Sequence, residues 1–181
     1  AGSRDLEVQE QRIGAAVGAL APELAMGPVV ADTTRFFARR RADASDTADD
    51  ALDSDRYLVL LDAIDALLAD PPLLPPAGAP ARVLLPTVVA KAVRRANRSL
   101  RNADALAAGP ERDEHLHEMR KAAKRLRYAA EALRPLRPRQ AERVVKQVKA
   151  VQDLLGEHQD SVVARGLVRE LGAAATAEGG N

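Results

Sequence analysis

Apolar side chains in this chain recur at spacings of three and four residues, and no run of them alternates with polar ones. Alternation is what a half-buried strand needs, whereas three-and-four spacing lines up one face of a helix. An all-α fold of antiparallel helical bundles is therefore expected. Leu6, Ile13, Val17 and Leu20 outline a first helix that should end before Pro22, and a second starts with Pro28 in its first turn and runs through Phe36 and Phe37 to about Leu52. Asp53 or Ser54 is placed to cap a third, where Tyr57, Leu60, Leu61, Ile64, Leu67 and Leu68 form one apolar stripe. Only 2% of residues are aromatic, so the core must be built mainly from Ala, Leu and Val, and the 46% apolar content is enough to build one.

Five prolines between Pro71 and Pro80 forbid a helix there and mark the clearest linker. Beyond it, Leu85, Val89, Ala92, Ala96 and Leu100 define a long helix that Pro86 either begins or kinks. Another spans about Glu111 to Arg134, and one follows Pro138 with Val144, Val148, Val151 and Leu155 inward and Gly156 as its C-cap. A last helix is expected from Asp160 to Leu171, seven in all. The organisation expected is a partial N-terminal bundle over 4–70, a linker over 71–81, a C-terminal bundle over 82–172 and a flexible tail over 173–181.

Net charge is only +1, but it hides a strong asymmetry. From Lys91 to Lys149 there are 17 Lys and Arg against seven Asp and Glu, a net +10 that leaves −9 for the remainder. From Ala42 to Asp70 nine Asp face the single Arg56. A polyanion should meet the first segment and avoid the second. With no cysteine, there is no disulfide, thiolate metal site or thiol nucleophile, and no run of 18 apolar residues is present. A cytoplasmic chain that does not span a membrane, and that carries no cofactor or metal, is expected.

The helix around His117 is the most informative stretch. Leu116, Met119, Ala123, Leu126, Ala130 and Leu133 form its inner seam, while His117, Arg120, Lys121, Lys124, Arg127 and Tyr128 fall on the other side. Like charges three or four residues apart cost a few tenths of a kcal/mol each, which an anion would offset. Basic helical faces are usually solvated surface, but companion stripes carry Arg94, Arg98 and Arg101, and Arg139, Arg143 and Lys146, with Lys149 nearby. Converging, the three would form a groove for a linear polyanion such as inorganic polyphosphate, with protonation of His117 coupled to binding. His115 and His117 lie about 200° apart on a helix, so one metal ion cannot take both.

The run His117-Glu118-Met119-Arg120-Lys121-Ala122-Ala123-Lys124-Arg125-Leu126-Arg127-Tyr128 resembles the signature of the CHAD family, the conserved-histidine α-helical domain. Leu154 to Asp160, Arg4 to Val8, and Asp55 to Leu58 support the resemblance, which covers roughly residues 4 to 171. It implies two four-helix bundles, binding of inorganic polyphosphate by basic side chains, and targeting to polyphosphate granules. By position, His117, Arg120, Lys121, Lys124 and Arg127 correspond to phosphate ligands, supported by Tyr128; the companion cations Arg94, Arg98, Arg143, Lys146 and Lys149 extend the expected surface. Some relatives carry a fused triphosphatase domain, whose alternating acidic and basic strand motif is absent here, so the resemblance implies no hydrolysis. The family's first half normally has an equivalent signature helix upstream of the segment matching Arg4 to Val8. On that basis the chain is expected to be a fragment with an incomplete first bundle.

Two other classes compete. His117-Glu118-Met119-Arg120 also resembles the phospho-acceptor box of a histidine phosphotransfer hairpin, but Lys121 and Ala122 stand where that box has Thr or Asn and then Pro. A helical scaffold or granule-coat protein without specific polyanion binding is the other. Nucleic acid, with Tyr57, Tyr128, Phe36 and Phe37 as the only rings to stack on, is not expected to be the main ligand, though other polyanions should bind weakly. Neither a nucleophile with its base nor a metal cluster occurs at plausible spacing, so no enzymatic activity is expected.

Overall fold

The computed structural model describes residues 2–21, 23–24 and 27–179, and these carry six α-helices, one 3-10 turn and no strand. The helices are α1 (Gly2–Gly18), α2 (Val29–Leu52), α3 (Asp55–Ala69), α4 (Ala81–Asp104), α5 (Pro110–Leu133) and α6 (Pro138–Gly179), with the turn at Pro75–Gly78. Proline punctuates the starts: α2 and α4 follow Pro28 and Pro80, while α5 and α6 begin on Pro110 and Pro138. At those positions the missing N–H has no intrahelical partner to lose. Gly27, just before α2, takes a left-handed φ of 68° that a side chain would strain. Pro22, the expected stop of the first helix, lies outside the described residues, and α1 ends at Gly18.

The chain divides into two compact units, one of residues 1–72 with 163–181, the other of residues 73–162. In the first, Ile13, Phe36, Phe37 and Leu167 form the core, with Leu6, Val17, Ala164 and Leu171 against it. The Phe36 and Phe37 rings meet edge to face at 5.4 Å, and the Arg40 guanidinium lies 5.1 Å over Phe36. Ion pairs Arg41–Glu10 and Arg40–Glu170 tie α2 to α1 and to the end of α6. In the second unit Ala123, Leu126 and Val148 are the core, flanked by Val89, Ala92, Val93, Ala96 and Val144.

Two expectations need correction. Gly156 does not cap a helix: α6 runs unbroken from Pro138 to Gly179. A mid-helix glycine costs about 1 kcal/mol relative to alanine, and burial of Leu155 and Leu167 on either side holds the helix through it. Hence the segment expected as a separate last helix belongs to α6 and, from Val163 on, to the first unit, which leaves the second with α4, α5 and the first part of α6. Of the segment expected to be a flexible tail, Ala173 to Gly179 is helical, and Gly180 and Asn181 lie outside the described residues. The apolar stripe of α3 lies on a helix as expected, but no residue of that helix is buried and only Tyr57 is half-buried. α3 packs only lightly on α2.

The continuity of α6 makes Gly156→Ala informative. An added Cβ would meet only the Arg120 Nε, at an ordinary 4.0 Å, so the change should raise thermal stability by up to about 1 kcal/mol. A destabilisation of similar size in a melting experiment would instead indicate a left-handed cap glycine.

Candidate functional site

Helix α5 turns its charges outward because its other side is used up by packing. Ala122, Ala123, Leu126, Ala130 and Leu133 are buried and Leu116 and Met119 half-buried, so the expected seam is the one observed. Arg120, Lys121 and Lys124 are exposed, with His117 and Arg127 half-buried. From His117 to Arg127 the strip extends about 15 Å along the helix axis.

Three contacts from α6 wall one side of this strip. His117 Nδ1 donates to Gln159 Oε1 at 3.2 Å, which leaves Nε2 as the ring atom for any ligand. The Arg120 guanidinium runs past Gly156, at van der Waals distance from where a side chain there would begin. His158 Nε2 lies 3.2 Å from Asp113 Oδ1, an ion pair when the ring is protonated. His115 is engaged elsewhere, with the Glu111 carbonyl of its own helix at 3.0 Å. No group of His, Asp or Glu among the described residues is arranged to hold a metal ion.

At the other end, Lys124 Nζ and Arg127 Cζ lie 5.9 and 5.1 Å from the centroid of the Tyr128 ring. Each contact is worth about 0.5–1 kcal/mol at an exposed site. Tyr128 thus holds two like charges together. Two carboxylates also touch the strip: Glu118 pairs with Lys121, and Glu131 lies 3.5 Å from Arg127. The hydrogen bond from Lys121 outweighs desolvation, which acts in the opposite direction, and with the charges of Lys121, His117 and Arg125 it holds the Glu118 carboxyl below its ordinary value.

The companion cations are placed less favourably than expected. Arg94 and Arg98, with Lys91, Arg95, Ser99 and Asn102, line a shallow depression built from α4 alone. Because Val89, Ala92, Val93 and Ala96 point into the core shared with Ala123 and Leu126, the stripe on the opposite side of α4 faces away from α5. The α4 cations therefore do not join the α5 strip in one groove. α6 does better. It runs antiparallel to α5, as the pairs His117–Gln159 and Arg134–Glu142 show, so its basic residues lie level with the Arg127 end. Lys149 precedes Gly156 by two helical turns and shares its α5-facing side, whereas Lys146 is turned about 80° and Arg143 about 140° from it. All three are exposed.

Residues 1–169 match the model of the CHAD domain. The chain belongs to the CHAD domain family. It is 39% identical over 176 residues to two Mycobacterium tuberculosis proteins, Uncharacterized protein MT2285 of strain CDC 1551 / Oshkosh and Uncharacterized protein Rv2226 of strain H37Rv. Those matches cover 97% of this chain and 33% of each relative, so this CHAD domain spans about a third of their length. No solved structure matches the chain significantly. No described helix is long and apolar enough to cross a membrane.

In this CHAD domain Gln159, His158, Asp113 and Gly156 are parts of the site that reasoning on charge alone overlooks. The run Leu154 to Asp160 signals them in the sequence, but nothing local shows that Gln159 meets a histidine 42 residues earlier. Since the Glu118 pKa is depressed, its pairing with Lys121 is complete above the ordinary carboxylate range and is lost only as pH falls through the lowered value. Lys121→Gln should return the Glu118 titration to the ordinary range in a carboxyl-carbon NMR titration, and an unchanged midpoint would show that the pair does not form.

Proposed function

We propose that this domain binds inorganic polyphosphate, without catalysis, along the outer face of α5, with His117, Arg120, Lys121, Lys124 and Arg127 as ligands, Lys149 extending the strip, and Tyr128 supporting it. The observation that carries the reading is the pair Lys124 and Arg127 on one Tyr128 ring. Tyr128, a neutral partner, gathers their positive charge in one place, and of the two only Arg127 also lies near a carboxylate of its helix, Glu131. Membership of a family associated in general with polyphosphate binding supports it. So does the shortage of stacking surface for a single-stranded nucleic acid, since Phe36 and Phe37 are buried and Tyr57 half-buried, leaving Tyr128 as the one well-exposed ring among the described residues. Attachment to polyphosphate granules is the cellular role this reading suggests, with whatever other segments accompany the domain supplying any further activity.

Binding to a long polyphosphate should fall steeply with salt, because each neutralised charge releases condensed counterions, and short phosphates should bind weakly. Lys124→Glu should weaken binding at least about tenfold, a change of ~1.4 kcal/mol, and flatten the salt dependence with helicity unchanged. Glu118→Gln should tighten binding a few-fold, because it frees Lys121 from its intrahelical carboxylate. Titration calorimetry at several salt concentrations checks both. Wild-type affinity and slope in Lys124→Glu would show the strip to be wrong, and a stable phosphoramidate on His117 would point to phosphotransfer instead.

A further inference from the structure

Helix α4 carries a second cationic face that the α5 strip does not use. Lys91, Arg94, Arg95, Arg98 and Arg101 are all exposed and fall within about 120° of the helix circumference. That sector is centred opposite Val89, Ala92, Val93 and Ala96, which turn the other side of α4 into the core. Asp104, the last residue of the helix, is its one acid. Among the described residues no carboxylate forms an ion pair with any of these cations. On α5, by contrast, Glu118 pairs with Lys121 and Glu131 lies beside Arg127.

Lys91–Arg94, Lys91–Arg95, Arg94–Arg98, Arg95–Arg98 and Arg98–Arg101 stand three or four residues apart, the spacing at which like charges repel across a helix surface. A basic face that serves only solvation is ordinarily interleaved with acids that relieve this repulsion. Here the chain supplies none, and an anion from solution fits the place. The surface is also shaped for one, because Lys91, Arg94, Arg95 and Arg98 line a shallow depression with Ser99 and Asn102, whose hydroxyl and amide are neutral donors beside the guanidinium groups. Every charge of the depression is positive and no aromatic side chain lies on α4, which favours a ligand that is phosphate throughout over one with bases to stack. From Lys91 to Arg101 the face covers about 15 Å of helix axis, as much as the α5 strip.

Both faces belong to the second unit, and they look away from each other. The seams of α4 and α5 meet in one core around Leu126, and each set of cations lies on the side of its helix opposite that core. We propose that the second unit holds two separate polyphosphate segments at once, one on α5 and one on α4, and so links two chains. The inference rests on the α5 strip as a polyphosphate site and adds to it a second, independent face. A protein with two such faces ties long polyphosphates into a network, where a protein with one only coats them.

The test uses long polyphosphate fixed to a sensor surface by one end and loaded with the full chain. The bound protein should capture a second, fluorescently labelled polyphosphate from solution, in proportion to the loading. Arg94→Glu with Arg98→Glu, both at exposed positions, should still load through α5 but capture at least about tenfold less, with circular dichroism unchanged. The milder Arg94→Gln with Arg98→Gln should capture several-fold less and, relieved of like-charge repulsion, melt no lower than the wild type. Loading without capture by the wild type would overturn the inference and leave the α5 reading standing. So would wild-type capture by the Arg94→Glu, Arg98→Glu variant, which would assign the linking to self-association of the chain. Loss of loading in that variant, with wild-type loading in Lys124→Glu, would overturn both readings, since α4 would then be the one site. A labelled DNA duplex captured more tightly than polyphosphate of equal charge would also overturn the inference and assign α4 to nucleic acid.

Discussion

Alanine at the helix contacts is the constraint on which the rest of the second unit depends. Ala122, Ala123 and Ala130 of α5 and Ala141 of α6 are among its most deeply buried residues, beside Leu126, Leu133 and Val148. Small side chains bring helix axes close, and with 3.6 residues per turn a narrow seam leaves most of the circumference for other residues. Charged side chains on α5 then have one place to go. The cationic strip is thus a consequence of the packing as much as a separate feature, and the crowding of like charges that results is eased locally, by Tyr128 under Lys124 and Arg127 and by Glu118 beside Lys121.

How much of this could be read in advance follows from the range of the interactions involved. The α5 seam and strip were legible because both depend only on the period of one helix. The starts of α2 and α6 were legible from Pro28 and Pro138. The His117–Gln159 contact was not, since it depends on the register of two helices 42 residues apart. Gly156 misled because a local rule for helix ends was outweighed by tertiary packing at Leu155. The α3 stripe was legible as a helical pattern, but its exposure was not, since a three-and-four spacing does not say whether another helix covers it.

The two units solve the core problem with different materials. One buries a pair of phenylalanines edge to face with a guanidinium over the outer ring, and its solvent side is acidic beyond Arg41. The other uses aliphatic residues alone and is basic outside. Separating the charge in this way keeps the net value near zero, which the bulk composition reports as +1, while giving each surface a strong local sign.

The carboxylates on the basic strip bear on which anions the proposed site would accept. Glu118 and Glu131 already pair with Lys121 and Arg127, so a ligand there gains only the difference between its own contacts and the pairs it displaces. A single phosphate offers little more than a carboxylate does, and the exchange is close to even. A chain of phosphates offers many charges at fixed spacing and pays the cost of ordering only once, so its later contacts are effectively intramolecular. Intrahelical acids therefore disfavour isolated anions more than continuous ones, and under the proposed function they would let a short strip of ordinary lysines and arginines discriminate by charge density without a shaped pocket.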